Sequence, residues 1–128
     1  MSTEADVWDA LEALEDEEVE SEDDLLDLVD NLTGLASALR AHFLPKEKTK
    51  RADPLDKILK KVGKSLKNDS LQKLSKKVRS LLKDIRKHAY GGWDEDDTDE
   101  LVGNAIDLKD EVSEAIKDIV PVPTDDDD

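Results

Sequence analysis

The chain has 128 residues, a length typical of one domain with tails, and only 37% of its residues are hydrophobic and 3% aromatic. Any core must therefore be built from Leu, Val, Ile and Ala, and the most polar stretches are expected to stay disordered. The lack of cysteine excludes disulfides, and no apolar run approaches the roughly 20 residues of a membrane span.

The net charge of −15 is distributed in three blocks of alternating sign. Residues 1–44 carry 14 acids and one base, residues 45–88 carry 16 bases and five acids, and residues 89–128 carry 15 acids and two bases. Blocks of opposite sign in one chain can screen each other, and each can attract a partner of the other sign. Because the first residues are acidic, unlike a signal peptide, we expect a soluble, intracellular protein.

Residues 1–22 are predicted to form an acidic N-terminal arm that carries one short amphipathic helix. Its apolar residues Val7, Trp8, Leu11 and Leu14 recur at helical spacing within an acidic surrounding. Two interpretations remain open for this arm. It is either a frayed helix on a disordered tail or a linear motif that docks in the groove of a partner, with Trp8 as the anchor.

Residues 23–120 are predicted to form an all-α bundle of four main helices, because apolar residues recur there at three- and four-residue steps. The first helix runs from Asp23 to Phe43, and Gly34 within it marks either a close helix contact or a break. The second begins at Pro54, the third ends near His88, and the fourth ends before Pro121. Residues 121–128 are predicted to form an acidic, disordered C-terminal tail.

Polar residues are predicted to cap three helices of this bundle. Asp53 is expected to cap the second helix, and Thr98 the fourth. The segment Asn68-Asp69-Ser70 separates the second and third helices and is expected to cap the third. No segment shows the strict alternation of polar and apolar residues that is typical of a strand. The sequence therefore indicates helices throughout.

The sequence offers little for catalysis. His42 and His88 lie near predicted helix ends, and no cysteine nucleophile is present. Val62 to Ser65 resembles the end of a phosphate-binding loop but lacks its upstream glycine, and Asp94 to Asp97 lacks the spacing of a calcium loop. We expect no enzyme activity, no catalytic residue, no cofactor and no metal site.

The basic block is the stronger candidate for a binding surface. Its bases crowd the second and third predicted helices, and we call the following set the basic face: Lys60, Lys61, Lys64, Lys67, Lys73, Lys76, Lys77 and Arg79. It is either a solvated surface that pairs with the chain's own acidic helices or a site for a partner. Arginine is scarce and no aromatic residues are interleaved, so a short acidic and hydrophobic protein motif suits it better than nucleic acid.

The same region resembles the N-terminal helical domain of the transcription elongation factor TFIIS family, which also occurs in elongin A and Mediator subunits. The resemblance spans residues 23–88 and rests on 25–29 (LLDLV), Leu44-Pro45, 58–64 (ILKKVGK) and 74–78 (LSKKV), although the family's tryptophan in the last helix falls on Leu82. It implies a nuclear module that docks short disordered motifs of transcription regulators. The surface contacts it implies are Lys61, Lys64, Lys76 and Lys77.

The leading hypothesis is a non-catalytic protein–protein interaction module, associated with transcription if the resemblance holds. The alternative is a nucleic-acid-associated protein or a viral or archaeal accessory protein that acts as a scaffold. Retention on DNA or RNA that falls steeply with salt would favour the alternative. Binding to a membrane surface is disfavoured because the acidic neighbours oppose it. The sequence leaves the partner's identity and the oligomeric state open.

Overall fold

The structure is a computed structural model that describes residues 3–45, 54–92 and 94–123. These residues contain helices and connecting segments but no strand, which confirms the all-α prediction. The described residues form five helices, which are the four main helices that we predicted and the short helix predicted for the N-terminal arm. Their bounds are α1 Thr3–Asp16, α2 Glu22–Phe43, α3 Leu55–Ser65, α4 Asp69–Gly91 and α5 Glu95–Ile119. Gly34 does not interrupt α2, which is continuous through it.

Side chains at three helix starts satisfy backbone N–H groups that the helix leaves without a partner. At α2, Ser21 and Asp24 form a reciprocal capping box. At α4, the cap predicted within residues 68–70 is Asn68, whose side chain accepts a hydrogen bond of 3.1 Å from the Leu71 N–H. The predicted start of α3 was one residue early, because Pro54 is the cap and the helix begins at Leu55. The predicted cap Asp53 lies outside the described residues. At α5, the prediction for Thr98 was wrong, because the helix begins a turn earlier with Asp94 as its cap. Thr98 is instead buried, and its hydroxyl has no hydrogen-bond partner among the described residues.

The helices pack mainly as two pairs of chain neighbours, α1 with α2 and α3 with α4, and α5 packs on α4, α1 and α2. Every helix contributes its apolar stripe to one continuous core, because a stripe left in water would forgo the gain from burial. The largest fully buried side chains are Leu11, Leu14, Leu25, Leu28, Leu35, Leu39, Leu55, Ile58, Leu59, Leu71, Ile85 and Ile116.

The structure differs from our expectation for residues 1–22, which we had placed outside the bundle. Val7, Leu11, Leu14 and Val19 are between 0 and 4% exposed and belong to the same core as the other four helices. The reason is that α2 and α5 present apolar surface on which the α1 stripe packs. The helical bundle therefore includes α1, in addition to the four helices that we expected in it. Of the predicted tail 121–128, residues 124–128 lie outside the described residues.

The α3–α4 pair packs most closely where Gly63 meets the start of α4. A Cβ atom at Gly63 would lie 3.0 Å from Cγ of Gln72, 3.2 Å from the Asn68 oxygen and 3.2 Å from the Gln72 nitrogen. The Asn68 N–H donates to the Gly63 carbonyl at 2.8 Å across the tight turn, in which Lys67 adopts a left-handed φ of 53°. Absence of a side chain thus allows the two basic helices to approach.

Candidate functional site

The structure divides the basic face between two sides of α4. Three of its eight members, Lys60, Lys76 and Arg79, line a groove between α3 and α4 together with Lys57, which the sequence analysis had left out. Lys57 lies three residues before Lys60, so helical spacing alone already placed it on the same side. We call this cavity of about 350 Å³ the basic groove; its lining residues are Asp56, Lys57, Lys60, Gln72, Ser75, Lys76 and Arg79.

The basic groove combines exposed cations with one buried polar side chain. Its four basic residues are exposed, whereas Ser75 is 6% exposed and donates a hydrogen bond of 2.8 Å from Oγ to the Gln72 carbonyl. Asp56 is the single acid among the lining residues. Within residues 3–45, 54–92 and 94–123, none of the four bases forms an ion pair. The groove therefore keeps a strong positive potential that an acidic ligand can use.

On the other side of α4, the chain's own acidic helix faces the basic face. Lys73 and Lys77 line a groove shared with Glu111, Glu114 and Asp118 of α5. Lys77 Nζ lies 2.8 Å from Glu111 Oε1, and their side chains are 59% and 46% exposed. A pair this exposed contributes at most about 1 kcal/mol. The interpretation of the basic face as a partner for the chain's own acids thus applies to this side of α4.

The remaining members of the basic face lie away from both grooves. Lys64 and Lys67 are exposed at the C-terminal end of α3, and Lys61 is half-buried and already engaged in an interaction. The structure therefore does not gather all eight residues into one site. It concentrates the candidate contacts on Lys57, Lys60, Lys76 and Arg79.

The predicted linear-motif anchor is part of the bundle in this structure. Val7, Leu11 and Leu14 are no more than 1% exposed, so their side chains are not accessible while α1 stays packed. Trp8 is half-buried, and its Nε1 donates to the carbonyl oxygens of Val120 at 3.2 Å and Pro121 at 2.9 Å. These contacts join the two ends of the described chain.

Polar contacts at the other end of α1 hold it on α5, and we call them the α1–α5 clasp. Lys109 Nζ donates to the carbonyl oxygens of Glu15 at 3.0 Å and Glu17 at 2.6 Å. Lys117 Nζ lies 2.5 Å from Glu15 Oε1, and Ser113 Oγ donates to the same carboxylate oxygen. Since the carbonyl end of a helix carries partial negative charge, these lysines stabilise the α1 terminus.

The clasp changes the acidity of Glu15. Hydrogen bonds from Lys117 and then from Ser113 stabilise the ionised carboxylate and lower the pKa of Glu15 below its ordinary value of 4.5, against a smaller opposing effect of burial. The clasp therefore holds a charged carboxylate, and protonation of Glu15 weakens it.

A cluster of carboxylates near the α1–α2 turn has a structural explanation. Oxygens of Glu17, Asp24 and Asp27 lie within 4.8 Å of one another. Oδ2 of Asp24 already accepts hydrogen bonds from the N–H groups of Glu20 at 3.0 Å and Ser21 at 3.1 Å, as the capping box requires. The hydrogen bond from Glu20, followed by those from Ser21, lowers the pKa of Asp24. We assign no metal site to this cluster.

The two histidines lie in separate places. His42 Nδ1 is 2.7 Å from the Thr3 hydroxyl, and His88 Nδ1 is 3.9 Å from Asp97 Oδ2. Such contacts are ordinary at helix ends, and we assign neither histidine a catalytic role.

None of the helices that the structure describes is long and apolar enough to cross a membrane. No family model matches the chain, and the searches of curated proteins and of solved structures found no match either.

Proposed function

We propose that the chain is a non-catalytic protein-interaction module whose basic groove binds an acidic, partly apolar segment of a partner protein. The observation that carries the proposal is the composition of the groove, with four exposed bases around one acid. A cavity of about 350 Å³ accommodates a few side chains of a peptide. The groove thus offers an acidic peptide both positive charge and a cavity for its side chains.

The wider charge distribution supports an acidic partner. Residues 55–91, which form α3 and α4, carry 12 bases and three acids, whereas α1 and α2 together carry 11 acids and one base. A concentrated positive field raises the association rate of an acidic ligand, while the acidic helices repel it elsewhere on the surface. The field therefore directs an acidic segment to the α3–α4 side.

Nucleic-acid association is the second candidate function, and the 12 bases on one helix pair are the observation in its favour. Two features weigh against it. The whole chain has 15 lysines but only four arginines, and arginine is the better ligand for phosphate and bases. In addition, the ten acids of α5 lie on the helix packed beside α4 and would repel a phosphate backbone.

A role in transcription, in the nucleus, is proposed on the resemblance to the TFIIS N-terminal domain family alone. Of the contacts that it implies, Lys76 lines the basic groove, while Lys77 pairs with Glu111. Residues 46–51 (KEKTKR) form a short basic cluster that could act as a nuclear import signal, and they lie outside the described residues. The proposal leaves out docking through Val7, Trp8, Leu11 and Leu14, because these residues are packed in the bundle.

A pair of matched variants tests the basic groove. We would measure binding of the full chain to a fluorescently labelled acidic peptide that contains leucines, and compare Lys60→Gln/Lys76→Gln with Lys73→Gln/Lys77→Gln. Both double variants remove two positive charges from the same helix pair, but only the first pair lines the basic groove. We expect the first to weaken binding about tenfold and the second much less.

Equal losses in the two variants would contradict the proposed groove, because they would mean that only the total charge matters. A DNA duplex of similar charge serves as the competing ligand. Tighter binding to the duplex than to the peptide, with a steep salt dependence, would replace the proposal by nucleic-acid association.

A further inference from the structure

A second groove lies between α2 and the C-terminal half of α4. Its lining is mostly apolar, its cavity volume is about 320 Å³, and Pro54 and Leu55 at the start of α3 also contribute to it. We call it the apolar groove; its lining residues are Leu26, Val29, Leu32, Thr33, Pro54, Leu55, Leu82, Ile85, Arg86, Ala89 and Tyr90.

The apolar groove exposes large apolar side chains that the bundle does not need for its core. Leu26 is 43% exposed and Tyr90 is 87% exposed. Among the described residues, only three other large hydrophobic side chains are exposed to a similar degree, and none of them lines this groove. Exposed apolar surface beside charged residues is typical of a binding site.

A row of bases on α4 connects the apolar groove with the basic groove. Lys76, Arg79, Lys83 and Arg86 follow one another at steps of three and four residues, which places them along one side of the helix. Arg79 lines the basic groove and Arg86 lines the apolar groove. Seven residues of helix separate the two arginines by about 10 Å, so one short ligand can reach both grooves.

The opposite edge of the apolar groove carries acids. Asp23 and Asp30 lie three and four residues from Leu26 on α2, and are therefore its neighbours on the helix surface. The groove thus has a basic edge on α4 and an acidic edge on α2. A ligand that fits this groove must place apolar side chains in it. The ligand must also carry acidic residues on the side that faces α4 and basic or neutral residues on the side that faces α2.

We infer that the apolar groove takes the apolar stripe of an amphipathic helix from the partner protein, with the helix's carboxylates along the basic row of α4. This inference rests on the proposed function, since it names the form of the same acidic partner. Charge complementarity to the two edges and continuity with the basic groove select a partner helix as the occupant. Helix-in-groove docking is a common recognition mode for apolar residues at i, i+3, i+4 and i+7.

The chain itself offers poorer occupants. Residues 46–53, which precede Pro54, are polar or charged except for Ala52, so they lack large apolar side chains for the groove. Trp93 follows α4 and lies outside the described residues, and its substitution therefore belongs in the test. Association of two copies through the groove is a further outcome that the test must distinguish.

The experiment uses the full chain and a designed helical peptide of about 15 residues, or about 22 Å. The peptide has leucines at i, i+3, i+4 and i+7, glutamates along one edge and glutamines along the other. A second peptide replaces the leucines by glutamine and keeps the glutamates. Binding of both labelled peptides is measured by fluorescence anisotropy.

The key protein variant is Leu26→Ser/Tyr90→Ser, and its matched control is Ile106→Ser/Val122→Ser. Ile106 and Val122 are 42% and 66% exposed and lie away from the groove, so both variants remove two exposed apolar side chains. We expect the first variant to bind the leucine peptide about tenfold more weakly and the control to bind it like the wild type. Neither should change binding of the peptide without leucines.

The outcomes separate the two proposals. If Lys60→Gln/Lys76→Gln weakens binding of both peptides but Leu26→Ser/Tyr90→Ser weakens neither, the apolar-groove inference is overturned and the proposed function stands. If the wild type binds neither peptide, both are overturned. Tighter peptide binding by Trp93→Ala would assign the groove to the chain's own tryptophan. A dimer in light scattering that Leu26→Ser/Tyr90→Ser dissociates would assign it to a second copy, and either result would overturn the inference.

Discussion

The α3–α4 pair and the α1–α5 contact hold helices together in different ways. In the α3–α4 pair, Gly63 lets two basic helices approach closely, and both helices contribute buried side chains such as Ile58 and Val78 to the core. In the α1–α5 contact, two acidic helices meet through hydrogen bonds and an ion pair from Lys109 and Lys117. Like-charged helices pack in both cases, and in the α1–α5 contact charged side chains add to the apolar packing.

The α1–α5 contact shows how few cations are needed to join acidic helices. α1 has six acids and no base, and α5 has ten acids and two bases. Both bases of α5, Lys109 and Lys117, contact the C-terminal end of α1 or the residues just after it. There they meet carbonyl oxygens and a carboxylate at short distance, where attraction exceeds the screened repulsion between the remaining surface acids.

The largest expected effect is a loss of stability, and it tests whether α1 contributes as much to the free energy of unfolding as the α3–α4 pair. Leu11 in α1 and Leu59 in α3 are 1% and 0% exposed. We expect Leu11→Ala and Leu59→Ala each to lower the free energy of unfolding by about 2–5 kcal/mol, because each leaves a cavity in the core. Urea unfolding followed by circular dichroism measures both. A loss below about 1 kcal/mol for Leu11→Ala alone would mean that α1 is the loosely attached arm first expected.

The next effect concerns the close approach of α3 and α4. Gly63→Ala adds a Cβ within 3.2 Å of backbone atoms of Asn68 and Gln72, and we expect it to lower the free energy of unfolding by about 1–2 kcal/mol despite alanine's better helix propensity. Gly34→Ala is the control, since a Cβ there meets nothing within 4 Å. It should raise stability by up to about 1 kcal/mol. If both substitutions raise the free energy of unfolding, α3 and α4 can move apart without loss of stability, and the close approach is not required.

A smaller effect distinguishes the clasp from an exposed ion pair. Lys109→Met removes two hydrogen bonds from an ammonium group to the carbonyl oxygens of Glu15 and Glu17, and should cost about 1–2 kcal/mol of unfolding free energy. Lys77→Met removes the exposed pair with Glu111 and should cost less than about 0.5 kcal/mol. Thermal unfolding of the two variants at one pH makes the comparison, and equal costs would refute the special role of the clasp.

The smallest effect is the pH dependence of the clasp. The pKa of Glu15 is lowered in the folded state, so its contribution to stability is complete above the ordinary value of 4.5 and is lost as the pH falls through the lowered one. Glu15→Gln should therefore cost about 0.5 kcal/mol at neutral pH, and the difference from wild type should shrink below pH 4.5. Denaturant titrations at several pH values measure it, with Glu18→Gln in the α1–α2 turn as the control. If the free energies of unfolding of wild type and Glu15→Gln differ by the same amount at every pH, including well below pH 4.5, this explanation is wrong.

Most of the fold could be predicted because helical periodicity is local. The stripe from Leu25 to Phe43 and a cap within residues 68–70 were evident from spacing and residue type, and the structure has a helix over the first and a cap at Asn68. The start of α5 was misjudged because Asp94 to Asp97 reads as a solvated acidic run, although acids are also favoured in the first turn of a helix. The short helix α1 was assigned to an arm outside the bundle because acidic residues surround its apolar stripe.

The candidate site was predicted only in part. Sequence spacing grouped the bases by helix but could not say on which side of α4 each base would lie. The packing of α5 takes Lys77 into a pair with Glu111 and leaves Lys76 and Arg79 beside α3. The apolar groove brings Leu26 and Tyr90 together from positions far apart in the chain, and no local pattern reveals such a meeting.

By itself, the sequence determined that the chain is helical, that its core is aliphatic and that its charge alternates in three blocks, because these properties depend on composition and on neighbours within a few residues. Tertiary structure alone decided that α1 joins the core, that Gly63 is a packing site and that the basic face is split. These follow from which apolar stripes find each other, a choice made by contacts between distant residues. The packing of the helices in turn determines which charged side chains lie next to each other on the surface.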